Sequence, residues 1–163
     1  MIYVYFNYKS SESQSQVKIA GNLLKQLVAE ADIPSDLESL YETSKAKTPE
    51  SAPLIQLLKS YSKNFSSIYA VFDAFDECGD DNQEDVLDLF DDLEKSGYKL
   101  LISSRPQTLD KLQHRLTKTC PLEVHAHISD LKIYVNRRMS KAKITDKILK
   151  TELLKLVRRV KGM

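Results

Sequence analysis

The amino-acid sequence predicts an α/β fold, with a parallel sheet flanked by helices and followed by C-terminal helices. Two apolar, β-prone runs carry this prediction: residues 68–72 read IYAVF, and residues 98–104 read YKLLISS. Both runs end abruptly in polar residues, and stretches with helical spacing of apolar residues surround them. Fully buried strands that alternate with amphipathic helices are typical of a doubly wound parallel sheet.

Length and composition limit the class of protein. The chain has 163 residues, of which 42% are hydrophobic and 29% are charged, which suits one domain with its own core. No apolar run approaches the ~20 residues that a membrane span needs, and the first residues lack the pattern of a signal peptide. Two cysteines are too few for a disulfide framework, so we expect a reducing, cytoplasmic setting and no membrane.

The first half of the chain predicts one strand and three helices. The aromatic and β-branched residues 2–8 form the strand, and the serine-rich residues 10–15 lead into a helix that Pro34 ends. A short helix follows, then a loop at residues 45–53, and then a helix that leads to residues 68–72. The helices are marked by apolar residues at helical spacing: Val17, Ala20, Leu24, Leu27, Val28 and Ala31; Leu37, Leu40 and Tyr41; Leu54, Leu57, Leu58 and Tyr61.

The second half predicts an acidic helix, two strands and a helical end. Residues 82–96 form the acidic helix, and Gly97 ends it as a C-terminal glycine commonly does. The run YKLLISS forms a second buried strand, and residues 121–128 are interpreted as a final strand. We therefore expect a core at residues 1–128 and a helical C-terminal segment of the same domain at residues 129–163. Helical stretches are predicted at residues 108–116, 129–140 and 145–160.

The residues suited to binding or catalysis follow the ends of two predicted strands. Acids follow the first strand, and two hydroxyls with an arginine follow the second. One helix separates these strands in sequence, so they are expected to be parallel neighbours whose ends meet at one edge of the sheet. A carboxylate there can order Mg²⁺ or water, and a guanidinium can bind phosphate. The residues are Asp73, Asp76 and Glu77 after the first strand, and Ser103, Ser104 and Arg105 after the second.

These two segments resemble a known family. VFDAFDEC followed by KLLISSRP is similar to the Walker B and sensor 1 regions of NACHT-type NTPases of the STAND class of P-loop ATPases. The closest pattern is the nephrocystin-3-like N-terminal NACHT module of fungal NLR-like and ankyrin-repeat proteins, with D-A-L-D-E-C and T-S-R-P. Here Phe75 replaces the leucine and Ser103 replaces the threonine. YVYFNYKSSESQS, LLKQLV, ISDLKIYVNRRM and VKGM also resemble family segments, so the likeness covers nearly the whole chain.

The resemblance implies a role for each strand-end residue. In an intact relative, Asp73 would order Mg²⁺, and Asp76 or Glu77 would orient the attacking water. Ser104 and Arg105 would sense the terminal phosphate of ATP or GTP. The family's activity would be nucleotide binding, switching and oligomerisation in signalling or in responses similar to innate immunity.

One part of the family pattern is missing from the sequence. A P-loop requires G-x-x-x-x-G-K-[ST], and none of the four glycines begins such a motif. The resemblance therefore implies the middle of a NACHT domain, with the P-loop and its strand expected before Met1. Without that motif we expect nucleotide binding to be weak or absent and hydrolysis not to occur. The four glycines are Gly21, Gly79, Gly97 and Gly162.

The missing P-loop strand has a structural consequence. In this class that strand lies beside the sensor strand, so residues 98–104 are expected to present an unpaired edge, unless residues 121–128 pair with it. Exposed apolar edges attract other strands. We therefore expect a protein partner, or self-association through the open edge, and a marginal stability for the isolated chain.

The two oppositely charged segments leave other functions open. Residues 73–94 carry eleven acids and no Lys or Arg, whereas residues 131–163 carry eleven basic residues and two acids. These segments attract each other or face different partners. A non-catalytic protein-interaction module is the main alternative function. A nucleic-acid binder that uses the basic C-terminal helices is a weaker alternative, because their leucines more simply indicate an amphipathic packing face.

Two further groups are weighed against simpler interpretations. His125 and His127 share one face of the predicted final strand, and with Cys120 they suggest a metal site, but their spacing fits no standard zinc pattern. Cys78 has no histidine nearby in sequence, so a buried thiol is favoured over a nucleophile.

Overall fold

The computed structural model describes residues 1–9, 14–29, 33, 35–44 and 49–159 and divides the chain into two compact units, Met1–Thr119 and Cys120–Met163. The first unit contains strands β1 (Ile2–Tyr5), β2 (Tyr69–Asp73) and β3 (Lys99–Ile102) and helices α1 (Gln16–Val28), α2 (Ser35–Ser44), α3 (Ser51–Tyr61), α4 (Asp80–Lys95) and α5 (Leu109–Arg115). The second unit contains helices α6 (Ile128–Lys141) and α7 (Lys147–Arg159).

The described residues form one parallel sheet of three strands in the order β1-β2-β3. Val4 is paired with Phe72, and Phe72 is paired with Ile102. Helices separate the strands along the chain, so the predicted α/β class with a parallel sheet is confirmed. The strand at the start of the chain ends at Tyr5, three residues earlier than predicted, although the Phe6 amide still donates to the Asp73 carbonyl at 2.9 Å.

The helices of the first unit cover one face of the sheet. The chain crosses from β1 to β2 and from β2 to β3 in the same direction, so right-handed connections place α1, α3 and α4 on the same side. On the other face Tyr3, Tyr5, Tyr69 and Leu101 have 48%, 68%, 52% and 66% of their surface exposed. The prediction of fully buried strands was therefore wrong: in the described residues the strands of this sheet are buried on one side.

The core lies between the covered sheet face and helices α1, α3 and α4. Ile2, Val4, Ala70 and Phe72 project from the strands into this core and are buried. Phe90 of α4 contacts the rings of Phe72 and Phe75 and forms an aromatic cluster with them. Helix residues that pack in the same core are Ile19, Ala20, Leu23, Leu24, Leu27, Leu54, Leu58, Val86, Leu89 and Leu93.

Helix α4 ends before Gly97, as its sequence predicts. Gly97 follows α4 with φ +87°, a left-handed conformation that glycine adopts without a Cβ clash. Tyr98 then enters the core, and its hydroxyl donates a 2.8 Å hydrogen bond to the Leu58 carbonyl near the end of α3. Burial raises the pKa of the Tyr98 phenol, which keeps it a neutral hydrogen-bond donor. The start of β3 is thus joined to α3.

The two edges of the sheet differ. At the β1 edge the Gln26 side chain bonds the Tyr3 backbone twice, since its Oε1 accepts from the amide at 2.9 Å and its Nε2 donates to the carbonyl at 2.8 Å. At the β3 edge, β2 is the only strand of the described residues that pairs with β3. Residues 119–127 have no regular secondary structure, so the predicted final strand at residues 121–128 was wrong. The expected unpaired edge at β3 is present in the described residues.

The second unit is helical, as predicted from its apolar spacing. Helices α6 and α7 contact each other, and Met139 is buried. No helix of the described residues is both long enough and apolar enough to cross a membrane. Some of the sequence-based predictions concern positions outside the described residues. These positions are residues 10–13, Pro34, residues 45–48 of the predicted loop and the terminal VKGM.

Candidate functional site

The residues singled out at the two strand ends meet at the carboxyl edge of the sheet. Asp73 is the last residue of β2, and Ser103 directly follows β3. The register pairs Phe72 with Ile102, so the parallel arrangement sets Asp73 and Ser103 side by side. Both side chains are exposed, as expected at a strand end that faces a ligand crevice.

Ser103 connects the two strand ends through both its side chain and its backbone. Its hydroxyl donates a hydrogen bond to Asp73 Oδ1 and accepts a 2.8 Å bond from the Ala74 amide. Its backbone amide donates to the Phe72 carbonyl, and its carbonyl accepts from the Phe75 amide, both at 2.9 Å. One residue therefore fixes the rotamer of Asp73 and the direction in which the chain leaves β2.

The turn after β2 depends on a strained residue. Ala74 has φ +58° and ψ +48°, in the left-handed region that residues with a Cβ rarely adopt. This conformation reverses the chain into a short 3₁₀ helix, Phe75–Glu77, which buries Phe75 and presents the two following acids. Strain of this kind persists where the surrounding structure enforces it, as the Ser103 bonds do here.

We expect Ala74→Gly to stabilise the first unit by about 1 kcal/mol, because glycine adopts the left-handed conformation without the Cβ clash, offset in part by its greater freedom when unfolded. Urea denaturation measures the change. The control is Ala52→Gly in the first turn of α3, where the backbone is helical and the same substitution should destabilise by about 0.5–1 kcal/mol. A loss of stability at Ala74 equal to that at Ala52 would contradict the strain.

Asp76 and Arg105 form the second connection between the strand ends. Asp76 Oδ1 accepts the Arg105 backbone amide at 3.1 Å, and Asp76 Oδ2 pairs with the Arg105 Nε at 3.1 Å. The Asp76 carboxylate is largely buried, whereas the arginine side chain is exposed. The ion pair is made through Nε, so the terminal nitrogens of the guanidinium carry further N–H donors that an anion can accept.

Glu77 and Ser104 are placed differently from the other four strand-end residues. Glu77 Oε2 accepts the Tyr8 backbone amide at 3.3 Å, which attaches the loop after β1 to the same edge. The Ser104 hydroxyl donates to the carbonyl of its neighbour Arg105 at 3.3 Å. The serine that touches Asp73 is therefore Ser103. Sequence reasoning placed Ser103 at the strand end and, from the family resemblance, assigned the phosphate contact to Ser104, which stays a prediction.

A shallow cleft of about 240 Å³ adjoins the Asp76–Arg105 pair. Sequence reasoning did not identify its other polar residues. Lys111 of α5 donates a 2.7 Å bond to Gln83 Oε1, and Gln83 Nε2 donates to the Cys78 carbonyl at 3.2 Å. The cleft is lined by Asp76, Asp80, Gln83, Arg105, Gln107, Thr108 and Lys111.

The residues fit part of a magnesium–nucleotide site and not the whole of it. Asp73 is an exposed carboxylate at a strand tip, which is the donor type that Mg²⁺ prefers, and the exposed Arg105 guanidinium offers N–H donors to an anion. The amide-lined phosphate loop with its lysine has no counterpart in the sequence. In the part of the chain that the structure describes, no three His, Cys, Asp or Glu side chains form a group that could hold a metal ion.

The histidines and cysteines that the sequence offered as alternative sites lie in different surroundings. His125 and His127 lie in the irregular residues 119–127 and do not share a strand face, and His125 Nε2 lies 3.1 Å from Glu123. Cys120 is exposed. Cys78 is buried, and burial together with the nearby Asp80 raises the pKa of its thiol to about 11, which disfavours the nucleophilic thiolate.

Comparison with known proteins gives one match. Residues 1–105 match the family model described as Nephrocystin 3, N-terminal. The matched region runs from the first strand through Arg105 and so includes both strand ends. No curated protein and no solved structure matches the chain. Since the match covers more than half of the sequence, the chain belongs to the nephrocystin 3 N-terminal family.

Proposed function

We propose that this chain carries the acid and sensor residues of a NACHT-type STAND signalling NTPase, similar to those of fungal NLR-like proteins, and that alone it does not hydrolyse nucleotide. The observation that carries the proposal is the pair of connections between strand ends, Asp73 with Ser103 and Asp76 with Arg105. Family membership supports it, because the matched residues include both Walker B-like and sensor-like segments. The charge arrangement suits recognition of a phosphate next to a divalent cation.

The proposed roles follow the family resemblance and the contacts of each side chain. Asp73 would face Mg²⁺, and Arg105 with Ser104 would face the terminal phosphate of ATP or GTP. Asp76 already pairs with Arg105, so Glu77 has the freer carboxylate for positioning water. Without a phosphate cradle in the sequence, the expected affinity is weak and the expected turnover is nil.

The test is calorimetry of Mg²⁺-ATP and Mg²⁺-GTP binding, with phosphate release measured in parallel. Asp73→Ala and Arg105→Ala are the test variants, and Asp36→Ala, an exposed acid in the first turn of α2, is the control. Weak binding that both test variants abolish and the control retains would support the proposal. Turnover that Asp73→Ala removes would contradict the predicted inactivity. A complete absence of binding would contradict the nucleotide role and favour the second candidate.

The second candidate is a non-catalytic protein-interaction module, and the open β3 edge favours it. The Lys99 and Ser103 amides donate to carbonyls of the segment that carries β2, so the alternate residues Leu100 and Ile102 direct their backbone groups to the other side. The β1 edge is closed by Gln26, so β3 presents the free edge of this sheet to an added strand.

Hydrogen exchange tests the edge directly. The amides of Leu100 and Ile102 are expected to exchange much faster than those of Leu101 and Ala70, which lie inside the ladder. A partner that adds a strand would slow these two amides selectively. Equal protection of Leu100 and Leu101 in the chain alone would show that the edge is already paired and would contradict this candidate.

A further inference from the structure

The turn that joins α6 to α7 carries a dense group of cations. Residues 137–147 contain five basic residues and one acid. All five basic residues are exposed, and they lie near the end of α6, in the turn itself and at the first residue of α7. We call these residues the basic tip: Arg137, Arg138, Lys141, Lys143 and Lys147.

The charge of the basic tip is not neutralised by ion pairs. No carboxylate among the described residues pairs with a basic-tip side chain, whereas Lys155 of the same unit pairs with Glu152 at 2.7 Å. The acid within the segment, Asp146, has a different role. Its Oδ1 accepts the amides of Ile148 and Leu149 at 2.7 and 3.2 Å and so caps the start of α7. The basic tip therefore attracts anions from solution.

The local structure of the basic tip is unfavourable in two ways. Lys143 follows α6 with φ +53°, in the left-handed region that favours glycine, and the Ile144 amide donates to the Met139 carbonyl at 3.0 Å as in a Schellman motif. Arg137 and Lys141 are four residues apart on one helix face, where like charges repel each other. Features that oppose folding are typical of functional positions, so the basic tip is a candidate anion-binding surface.

An exposed apolar residue adjoins the basic tip. Ile148 directly follows Lys147 at the start of α7 and is 77% exposed. A nucleic acid offers an anionic phosphate backbone but no apolar layer for this isoleucine. An anionic membrane offers both, because cationic side chains meet its headgroups while apolar ones reach the boundary with the acyl chains. The combination favours a lipid surface.

The position of the basic tip within the second unit suits contact with a large surface. Helices α6 and α7 contact each other and are joined by residues 142–146, so they form a helical hairpin with the basic tip at its turn. The chain enters α6 at Ile128 and leaves α7 after Arg159, at the other end of the hairpin, about 20 Å away for helices of 14 and 13 residues. Segments before and after the hairpin therefore join it away from the basic tip.

We propose that the basic tip binds the surface of an anionic phospholipid membrane. The five cations lie over acidic headgroups, and Ile148 enters the boundary between headgroups and acyl chains. The contact is peripheral, so it needs no spanning helix, and it replaces the sequence-based expectation of no membrane. The inference goes beyond the proposed nucleotide role, because that role uses residues of the first unit alone.

Co-sedimentation of the full chain with lipid vesicles tests the proposal. Vesicles of phosphatidylcholine with about 30% phosphatidylserine should bind the chain, and vesicles of phosphatidylcholine alone should not. Binding should weaken steeply as NaCl rises from about 0.05 M to about 0.5 M, because salt screens the charges. Lys141→Gln and Lys147→Gln should each lower the partition coefficient about fivefold, and Ile148→Ser should lower it although it changes no charge. The matched control, Lys155→Gln, removes an exposed lysine of α7 outside the basic tip and should change the coefficient less than about twofold.

The variant Lys143→Gly separates binding from folding. Glycine adopts the left-handed conformation without strain, so this variant should unfold at the same temperature or higher, as measured by circular dichroism, and yet bind anionic vesicles about fivefold more weakly. Absence of binding to anionic vesicles at low salt would overturn the proposal. So would binding that the basic-tip variants leave unchanged, or a loss in Lys155→Gln equal to that in Lys141→Gln. Binding to poly(U) RNA that Ile148→Ser leaves intact, with no binding to vesicles, would overturn it by assigning the basic tip to nucleic acid.

Discussion

Replacing Phe90 with alanine is expected to destabilise the first unit by about 3–5 kcal/mol. Phe90 is fully buried, and its ring centre lies 4.5 Å from that of Phe72 and 5.1 Å from that of Phe75. Phe75 in turn contacts Phe6 at 5.6 Å. The substitution would therefore leave a cavity at the point where α4, β2 and the turn carrying the acids meet, and the lost transfer energy and the cavity both oppose folding.

Urea denaturation followed by circular dichroism measures this loss. Tyr41→Ala is the control, since it removes an aromatic ring of similar size from an exposed position and should change the unfolding free energy by about 0.5 kcal/mol or less. Because Phe75 leads directly into Asp76, the Phe90 variant should also loosen the Asp76–Arg105 pair. A loss similar to that of the control would mean that the aromatic cluster does not hold the sheet to α4.

Raising the pH from about 9 to about 11 is expected to lower the unfolding free energy by up to about 2 kcal/mol through Cys78. Burial and the nearby Asp80 raise the pKa of the thiol from its ordinary value near 9 to about 11 in the folded chain. Between these values the unfolded chain loses the thiol proton and the folded chain keeps it. The folded state therefore binds more protons, and stability falls as the pH rises through this window.

Paired cysteine variants isolate this effect. Urea denaturation below pH 9 and near pH 11 gives the change for each variant, so any cavity introduced by the substitution cancels within that variant. Cys78→Ala should reduce the decrease in unfolding free energy at alkaline pH. Cys120→Ala, which removes an exposed thiol, should leave that decrease unchanged. Burial also raises the pKa of Tyr98, which adds a loss that both variants share. Equal losses in the two variants would contradict a buried, neutral Cys78.

Much of the candidate site was predictable from the sequence because it follows from strand ends. The apolar run before Asp73 had to form a strand, and a charged side chain at its end had to leave the core. Gly97 marked the end of α4, and one helix between two strands required parallel neighbours. The acids and Arg105 therefore had to share an edge, as the Asp76–Arg105 pair shows.

Other features could not be predicted because they depend on residues distant in sequence. Residues 121–128 have the composition of a strand, but in the described residues they pair with no strand: residues 121–127 are irregular, and Ile128 begins α6. Leu101 follows an apolar residue in a β-prone run, which predicts burial, yet it is 66% exposed because the connecting helices lie on the opposite face. Composition indicates that a residue can be buried, and only topology provides the element that covers it.

The sequence by itself determined the order of strands and helices up to β3, the parallel sheet and the acidic strand end, because these depend on local periodicity and on the cost of burying charge. Only the tertiary structure decided which serine reaches Asp73, which edge Gln26 closes and which face stays open. Those features depend on register and on the hand of the connections, which arise when separate segments of the chain pack together.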